Sequence, residues 1–292
     1  MIELTIFTPT YNRAYILPKL FDSLLAQSNK NFEWLIVDDG SSDNTKEIVE
    51  NFKSKVNFKI TYIYQENQGK HVAINTALQN INTSYFATID SDDFLEDSAI
   101  ETIFTKLPSI DHIKDIIALA SPIKILNQNI ANNKITAETV ASTYEMIYRY
   151  KIHGEVTLIF KTELAKRFEY PTFIKEKFML ESVVFNRMDK MYKFLYILES
   201  IVNAEYIPDG LTAQGKKKLI DNPKGAALAY KEKMNNCKIP LENRKMFAKN
   251  YWDYENLTNK SFISKINKIK GVKIKIYMIN YFLKKCFFKT TA

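Results

Sequence analysis

Three carboxylates fall within four residues at Asp90-Ser91-Asp92-Asp93, directly after the apolar run Tyr85-Phe86-Ala87-Thr88-Ile89. That run reads as a buried parallel strand, and ligands in open α/β sheets gather beyond the carboxyl ends of such strands. Asp90 and Asp92 lie two apart, so an extended backbone sends both side chains to one side. Crowded carboxylates are tolerable only if they are solvated or share a cation. All-oxygen ligation points to Mg²⁺ or Mn²⁺. The competing reading is a solvated acidic loop in which Asp93 or Asp97 caps the next helix.

The elements around the tetrad weigh on that choice. Residues 4–8 read as a first strand and residues 32–37 as a second, with Leu17, Leu20, Phe21, Leu24 and Leu25 at helical spacing between them. The second strand runs into Asp38-Asp39-Gly40-Ser41-Ser42-Asp43, where Gly40 allows a sharp turn and Asp43 can cap a helix over 45–52. A third strand at 60–64 leads through Glu66-Asn67-Gln68-Gly69-Lys70 into a helix over 71–79, and the strand of the tetrad comes fourth. Alternation of this kind predicts an α/β fold with a Rossmann-like, mostly parallel sheet flanked by helices. Both acidic clusters then lie on one rim.

Taken in order, Pro9-Thr10-Tyr11-Asn12-Arg13, Val37-Asp38-Asp39-Gly40-Ser41-Ser42-Asp43, Asn67-Gln68-Gly69-Lys70 with Ala73 and Asn75, and Asp90-Ser91-Asp92-Asp93 resemble the family 2 glycosyltransferases. These are inverting enzymes with an A-type fold. The likeness covers roughly the first hundred residues; beyond it, Lys175-Glu176-Lys177-Phe178 through Arg187, and Pro208-Asp209-Gly210-Leu211-Thr212, are similar to bacterial surface-polysaccharide members.

The resemblance implies a nucleoside diphosphate-sugar donor, a UDP-sugar, and a glycan or lipid-linked saccharide acceptor. It implies that Pro9 and Tyr11 hold the uracil face and that Asp39 accepts the imide N–H of the base. Asp38 is then a structural acceptor for nearby backbone N–H groups. Gly69 and Lys70 belong to the donor site, Lys70 as a positive contact to the diphosphate or as a solvated lysine at a helix start. Asp90 meets the ribose or the water shell of the cation. Asp92 ligates the Mn²⁺ or Mg²⁺ that bridges the phosphates, with Asp90 and Asp93 as further candidate ligands. His71 reads as a supporting or exposed residue.

An inverting transfer also needs a base for the acceptor hydroxyl. The family places an aspartate six residues before an arginine, and the matching spacing here runs from Glu181 to Arg187. Glu181 is isolated among apolar residues, and partial burial there would raise its pKa toward a useful value. The chain departs from the family pattern at Leu180, where another acid is usual. Glu176 is the runner-up base. His153 and Glu155, ahead of a strand at 156–160, are candidates for acceptor contact or for a strand-entry turn.

The chain of 292 residues is 46% hydrophobic and has seven glycines and eight prolines. This composition suits one catalytic domain over 1–213 with a basic, mainly helical extension over 214–292, and shows no linker, repeat or low-complexity tract. Residues 115–140 read as strands joined by an Asn-rich turn at 127–133 on the acceptor side. Two cysteines fit a reducing cytoplasm. No targeting segment precedes the first strand, and no apolar run approaches the ~20 residues of a spanning helix.

Charge is uneven. Residues 1–210 hold 22 Lys and Arg against 28 Asp and Glu, and residues 211–292 hold 19 against 5, so net −6 gives way to +14. From Thr258 onward there are nine lysines and no acid, while Phe262, Ile266, Ile269, Val272, Ile276, Ile279 and Leu283 recur at helical spacing. The expectation is a basic amphipathic helix that holds the enzyme peripherally on anionic lipid, at the inner face of the plasma membrane; the alternative is packing on the catalytic domain. No aromatic-basic recognition module points to nucleic acid. The stretch 210–218 is expected to close over the diphosphate or to be a solvated linker. A dehydrogenase would need G-x-G-x-x-G after the first strand and a sugar nucleotidyltransferase a Gly-rich phosphate loop there; neither is present. A catalytically inactive glycan-binding or scaffolding relative remains the alternative class.

Overall fold

A computed structural model describes residues 3–126, 135–205, 215–258 and 260–289, with side chains through 283. The Asn-rich turn at 127–133 and most of the stretch 210–218 lie outside the described residues; Gly215 to Lys218 open a helix. Two units divide the chain: Met1–Pro171 with Arg187–Ala213, and Thr172–Asn186 with Gln214–Ala292.

The first unit begins β1 (Leu4–Thr10), α1 (Leu17–Ala26), β2 (Phe32–Asp38), α2 (Thr45–Lys53), β3 (Ile60–Tyr64), α3 (Lys70–Asn80) and β4 (Tyr85–Thr88). It continues with β5 (Phe94–Leu95), α4 (Ala99–Lys106), α5 (Pro108–Asp111), β6 (Ile116–Ile125), β7 (Thr139–Ala141), β8 (Val156–Lys161), α6 (Thr162–Ala165) and, after α7 (Ser182–Met188), β9 (Lys193–Tyr196) and β10 (Val202–Ala204). One sheet runs in the order β3-β2-β1-β4-β8-β6-β10-β5, with β9 beside β6 and β7 beside β9. The strands from β3 to β4 are parallel, β8 is antiparallel to both β4 and β6, and β6 runs parallel to β9 and β10.

Parallel strands covered on both faces are largely apolar, and every residue of β1 is buried, Thr5, Thr8 and Thr10 included. Helix α1 turns Leu17, Leu20, Phe21 and Leu24 inward. Its Phe21 ring stacks on Phe52 of α2 at 4.0 Å, and Trp34 of β2 packs beside both while donating its indole N–H to Thr8 at 3.0 Å. The chain adds β2 and β3 on one side of β1 and then returns to place β4 on the other. This reversal leaves a crevice beyond the ends of β1 and β4, where α/β sheets take ligands. The acidic tetrad follows β4.

In the second unit come α8 (Gly215–Asp221), α9 (Pro223–Met234), α10 (Leu241–Asn256), α11 (Phe262–Asn267) and α12 (Val272–Lys289). Their core holds Met234, Ala248, Tyr251, Trp252, Ile269, Ile274 and Met278. The segment 172–186, which the sequence assigned to the catalytic domain, is stitched to the start of α9. Asn222 Oδ1 accepts from the Lys177 and Phe178 amides at 2.7 and 3.0 Å, and the Glu176 carboxylate accepts from the Lys224 and Gly225 amides at 2.9 and 2.8 Å.

The C-terminal region is two helices rather than one. Gly271, with φ +142°, separates them and changes the phase of the apolar pattern. Ile269, Ile274 and Met278 are buried, whereas Val272, Ile276, Ile279 and Leu283 are exposed. The apolar residues expected on one face therefore occupy two. Among the described residues no helix is long and apolar enough to cross a membrane.

Glu176 ties down two amides that no helical carbonyl can reach. Glu176→Ala is expected to lower stability by about 1–2 kcal/mol, the cost of a lost helix cap, as read from the urea unfolding midpoint.

Candidate functional site

The rim is organised around two adjacent aspartates at the end of β2. Asp38 Oδ1 accepts from the Ser41 amide at 2.8 Å and Oδ2 from the Tyr62 hydroxyl at 2.6 Å. Asp39 is 4% exposed. Its Oδ1 accepts from Gln65 Nε2 at 2.7 Å and the Gln68 amide at 2.9 Å, and its Oδ2 from the Gly69 amide at 2.7 Å. A carboxylate oxygen takes two donors, so one acceptor position on Oδ2 stays open to a ligand N–H. Gly40 and Gly69 both have positive φ, +87° and +98°, and a Cβ on Gly40 would stand 2.7 Å from the Asn67 amide nitrogen. Only glycine lets the β2 and β3 loops approach this closely.

The loop after β1 is fastened to the same place. Asn12, at φ +51°, donates its amide to Ser41 Oγ and accepts the Ser42 amide on Oδ1, both at 2.8 Å, and Ala14 donates to Asp43 at 3.0 Å. Pro9 is buried at the strand end. Tyr11 and Tyr15 are left 49% and 62% exposed, with Arg13 donating to the Tyr15 hydroxyl at 2.7 Å.

Beyond β4, the Asp93 amide donates to the Asp90 carbonyl at 3.1 Å and turns the tetrad back on itself. Asp90 pairs with Lys70 Nζ at 2.8 Å. Burial raises the pKa of Asp92, Asp90 adds to it, and Arg13 and Lys70 act against it. Burial pushes Asp93 up to about 8, with Asp90, Asp92 and Glu155 pressing the same way. Four carboxylates thus share the field of two cations. The chain continues into β5, and α4 starts after Ser98 with no side-chain cap, so neither Asp93 nor Asp97 caps that helix.

The donor set fits a hard divalent cation. The groups present are carboxylates, and their crowding is relieved by added positive charge. Among the described residues no three His, Cys, Asp or Glu side chains form a metal cage. One or two carboxylates with the remaining ligands supplied by substrate phosphates is the usual setting for Mg²⁺.

The structure gathers Tyr11, Asp39, Gly69, Lys70, Asp90, Asp92 and Asp93 on the first unit, whereas Glu176 and Glu181 belong to the second. Glu176 is engaged at the start of α9. Glu181 is exposed just before α7, because its apolar neighbours Met179, Val183 and Val184 turn inward without it; the burial expected to tune it is not there. His71 is buried at 4% exposure rather than exposed. It packs edge-on against Tyr170, its pKa lowered by burial against the pull of Asp39. Two contributors escaped the sequence. Gln65 carries no motif, and only its place one residue past β3 hints at a role. Arg13, by contrast, lies inside a quoted motif, and its field at Asp92 became visible only in three dimensions.

Structures of known proteins share this architecture. The UDP-GlcNAc complex of Staphylococcus aureus TarS residues 1–349 superposes with a TM-score of 0.63 at 18% identity, over 95% of this chain and 79% of that one. The mannosyltransferase PcManGT of Pyrobaculum calidifontis, solved with GDP-Man and Mn²⁺, gives 0.58 at 15% identity, over 95% and 79%. The fold is therefore the A-type glycosyltransferase fold. Residues 5–157 match the model of glycosyl transferase family 2, and the chain belongs to that family. Among curated relatives, glycosyltransferase GlyA of Streptococcus pneumoniae is 40% identical over 105 residues, 36% of this chain and 15% of its own. An uncharacterized glycosyltransferase of Rickettsia prowazekii is 36% identical over 113 residues, 39% of this chain and 34% of its own. The similarity thus spans about a third or less of those relatives.

Asp39→Asn would turn an N–H₂ group toward donors that need an acceptor. The variant is expected to lose about 1–3 kcal/mol of stability, read by urea denaturation.

Proposed function

We propose that this family 2 glycosyltransferase moves a sugar from a UDP-sugar, with inversion, to a hydroxyl of a glycan or lipid-linked saccharide during surface polysaccharide synthesis. The observation that carries this reading is the pairing of one open acceptor position on Asp39 with the exposed ring of Tyr11 on loops bonded to each other. Tyr11 offers a stacking face, and Asp39 accepts the uracil imide N–H, which cytosine lacks. The donor complexes of TarS and PcManGT are consistent with a nucleotide-sugar site in this fold.

Lys70 and Arg13 bring positive charge to the diphosphate side, and Asp90 holds Lys70 in position. Asp92, with Asp93 beside it, would hold Mn²⁺ or Mg²⁺, which stabilises the charge that grows on the departing diphosphate. Glu181 takes the proton of the attacking hydroxyl, a role supported by its spacing to Arg187 and by the engagement of Glu176 in a helix cap. His153 and Glu155 are candidates for acceptor contact, and the field of Glu155 at Asp93 supports the latter. In the second unit, exposed Val272, Ile276, Ile279 and Leu283 along α12, among lysines, support peripheral contact with anionic lipid at the inner face of the plasma membrane.

UDP is expected to raise the melting temperature only when Mn²⁺ or Mg²⁺ is present, and Asp92→Asn to abolish both that shift and transfer. A larger shift with CDP or GDP, or full activity in a strong chelator, would defeat the donor and metal assignments. Glu181→Gln is expected to slow transfer by roughly 10²–10⁴-fold and leave UDP-sugar binding nearly intact. An unaffected rate would remove Glu181 from the chemistry, and UDP binding without any transfer by the unaltered chain would mark an inactive relative. Co-sedimentation with anionic vesicles is expected to fall on Ile276→Asn with Ile279→Asn and to weaken in high salt. Binding that is absent, or indifferent to both changes, would leave the α12 stripe without a membrane role.

A further inference from the structure

Within the second unit lies a cavity of about 160 Å³ that the transfer chemistry does not use. Four of its lining side chains are Lys224, Lys231, Lys260 and Lys268, against a single carboxylate, Glu255. Lys224 and Lys231 sit on α9 seven residues apart, so two helical turns bring them to one side. Lys260 precedes α11 and Lys268 follows it.

Glu255 is 2% exposed and already shared: its Oε1 meets Lys260 Nζ at 3.0 Å and Lys268 Nζ at 2.6 Å. Those contacts hold two ammonium groups in position and consume the only negative charge in the lining. Lys224 and Lys231 make no ion pair of their own among the described residues. Burial lowers the pKa of Lys231, and Lys268 and Lys260 act the same way against Glu232 and Glu255. Phe173, Ala227 and Leu228 form the apolar part of the lining beside the lysines.

We propose that this cavity is a binding site for a phosphate group, separate in its residues from the donor site. Several ammonium groups from different elements suit a tetrahedral anion with acceptors in every direction, and lysine meets phosphate as a point charge with three donors. A carboxylate has acceptors only in one plane and would leave part of the lysine set unmatched. The chemistry is the same whether the phosphate is free or is the headgroup of a lipid. The site stands independently of the assignments of base, metal and sugar.

The test uses the full chain, titrated calorimetrically with inorganic phosphate and with pyrophosphate, in the presence and absence of UDP and Mn²⁺. In parallel it is sedimented with phosphatidylcholine vesicles with and without phosphatidic acid. Binding to free phosphate, or only to phosphatidic acid vesicles, supports the site and identifies the source. In either case Lys224→Gln with Lys231→Gln is expected to weaken it by about tenfold or more, with an unchanged circular dichroism spectrum. UDP-sugar turnover in the same variant reads the donor chemistry separately and is expected to match the unaltered chain. The proposal is overturned if neither form of phosphate binds, if the double variant binds as well as the unaltered chain, if UDP displaces the phosphate, or if acetate binds as tightly as phosphate.

Discussion

The rim of the first unit depends on one buried carboxylate. Taking Asp39 out of water costs several kcal/mol unless donors replace the lost hydration, and three donors do so, from Gln65, Gln68 and Gly69. All three lie past β3, so the bond set fixes the β3 loop against the end of β2, while the Asp39 amide itself donates to Thr10 at the end of β1 at 2.8 Å. Three strand ends become one platform. The left-handed backbone at Asn12, Gly40 and Gly69 is what this closeness requires, and the hydrogen bonds among these loops keep it in place.

Beside that carboxylate stands a crowded group of others. Burial raises the pKa of both Asp92 and Asp93, Asp90 adds to both and Asp92 to Asp93, while Lys70 acts against both and Arg13 against the rise at Asp92. One carboxylate is surrounded by the chain's own amides, whereas the neighbouring ones are crowded together in a turn.

The parallel half of the sheet was legible because covered strands are largely apolar runs, and four such runs, with Gly40 and Gly69 at the turns, can be read without knowing their partners. The acidic clusters were legible for the same local reason: each lies at or just past the end of a strand. Pairings between distant segments were not. Nothing in the spacing of Glu176 reveals that it meets the amides of Lys224 and Gly225, and nothing beside Glu181 reveals that Met179, Val183 and Val184 turn inward without it. His71 read as either supporting or exposed, and the choice was not local, because its burial comes partly from Tyr170, about a hundred residues away.

The C-terminal region shows how one residue can redirect a sequence pattern. Steps of three and four place apolar residues on one face only while the helix is unbroken, and Gly271 breaks it. Past the break, Ile274 and Met278 take the buried positions with Tyr277, Tyr281 and Phe282 beside them, while Val272, Ile276 and Ile279 face solvent. The lysines divide as well. Lys260 and Lys268 are bound by Glu255, and Lys265 donates to Asn256 at 2.6 Å and lies over the Trp252 ring. Charge that read as one uniform basic tail is therefore partly internal, holding helices together. A stretch with no acid of its own draws its counter-charge from Glu255 on α10, and that single carboxylate, the one acid in the lining of the cavity, is hydrogen-bonded to Lys260 and Lys268 rather than to Lys224 or Lys231.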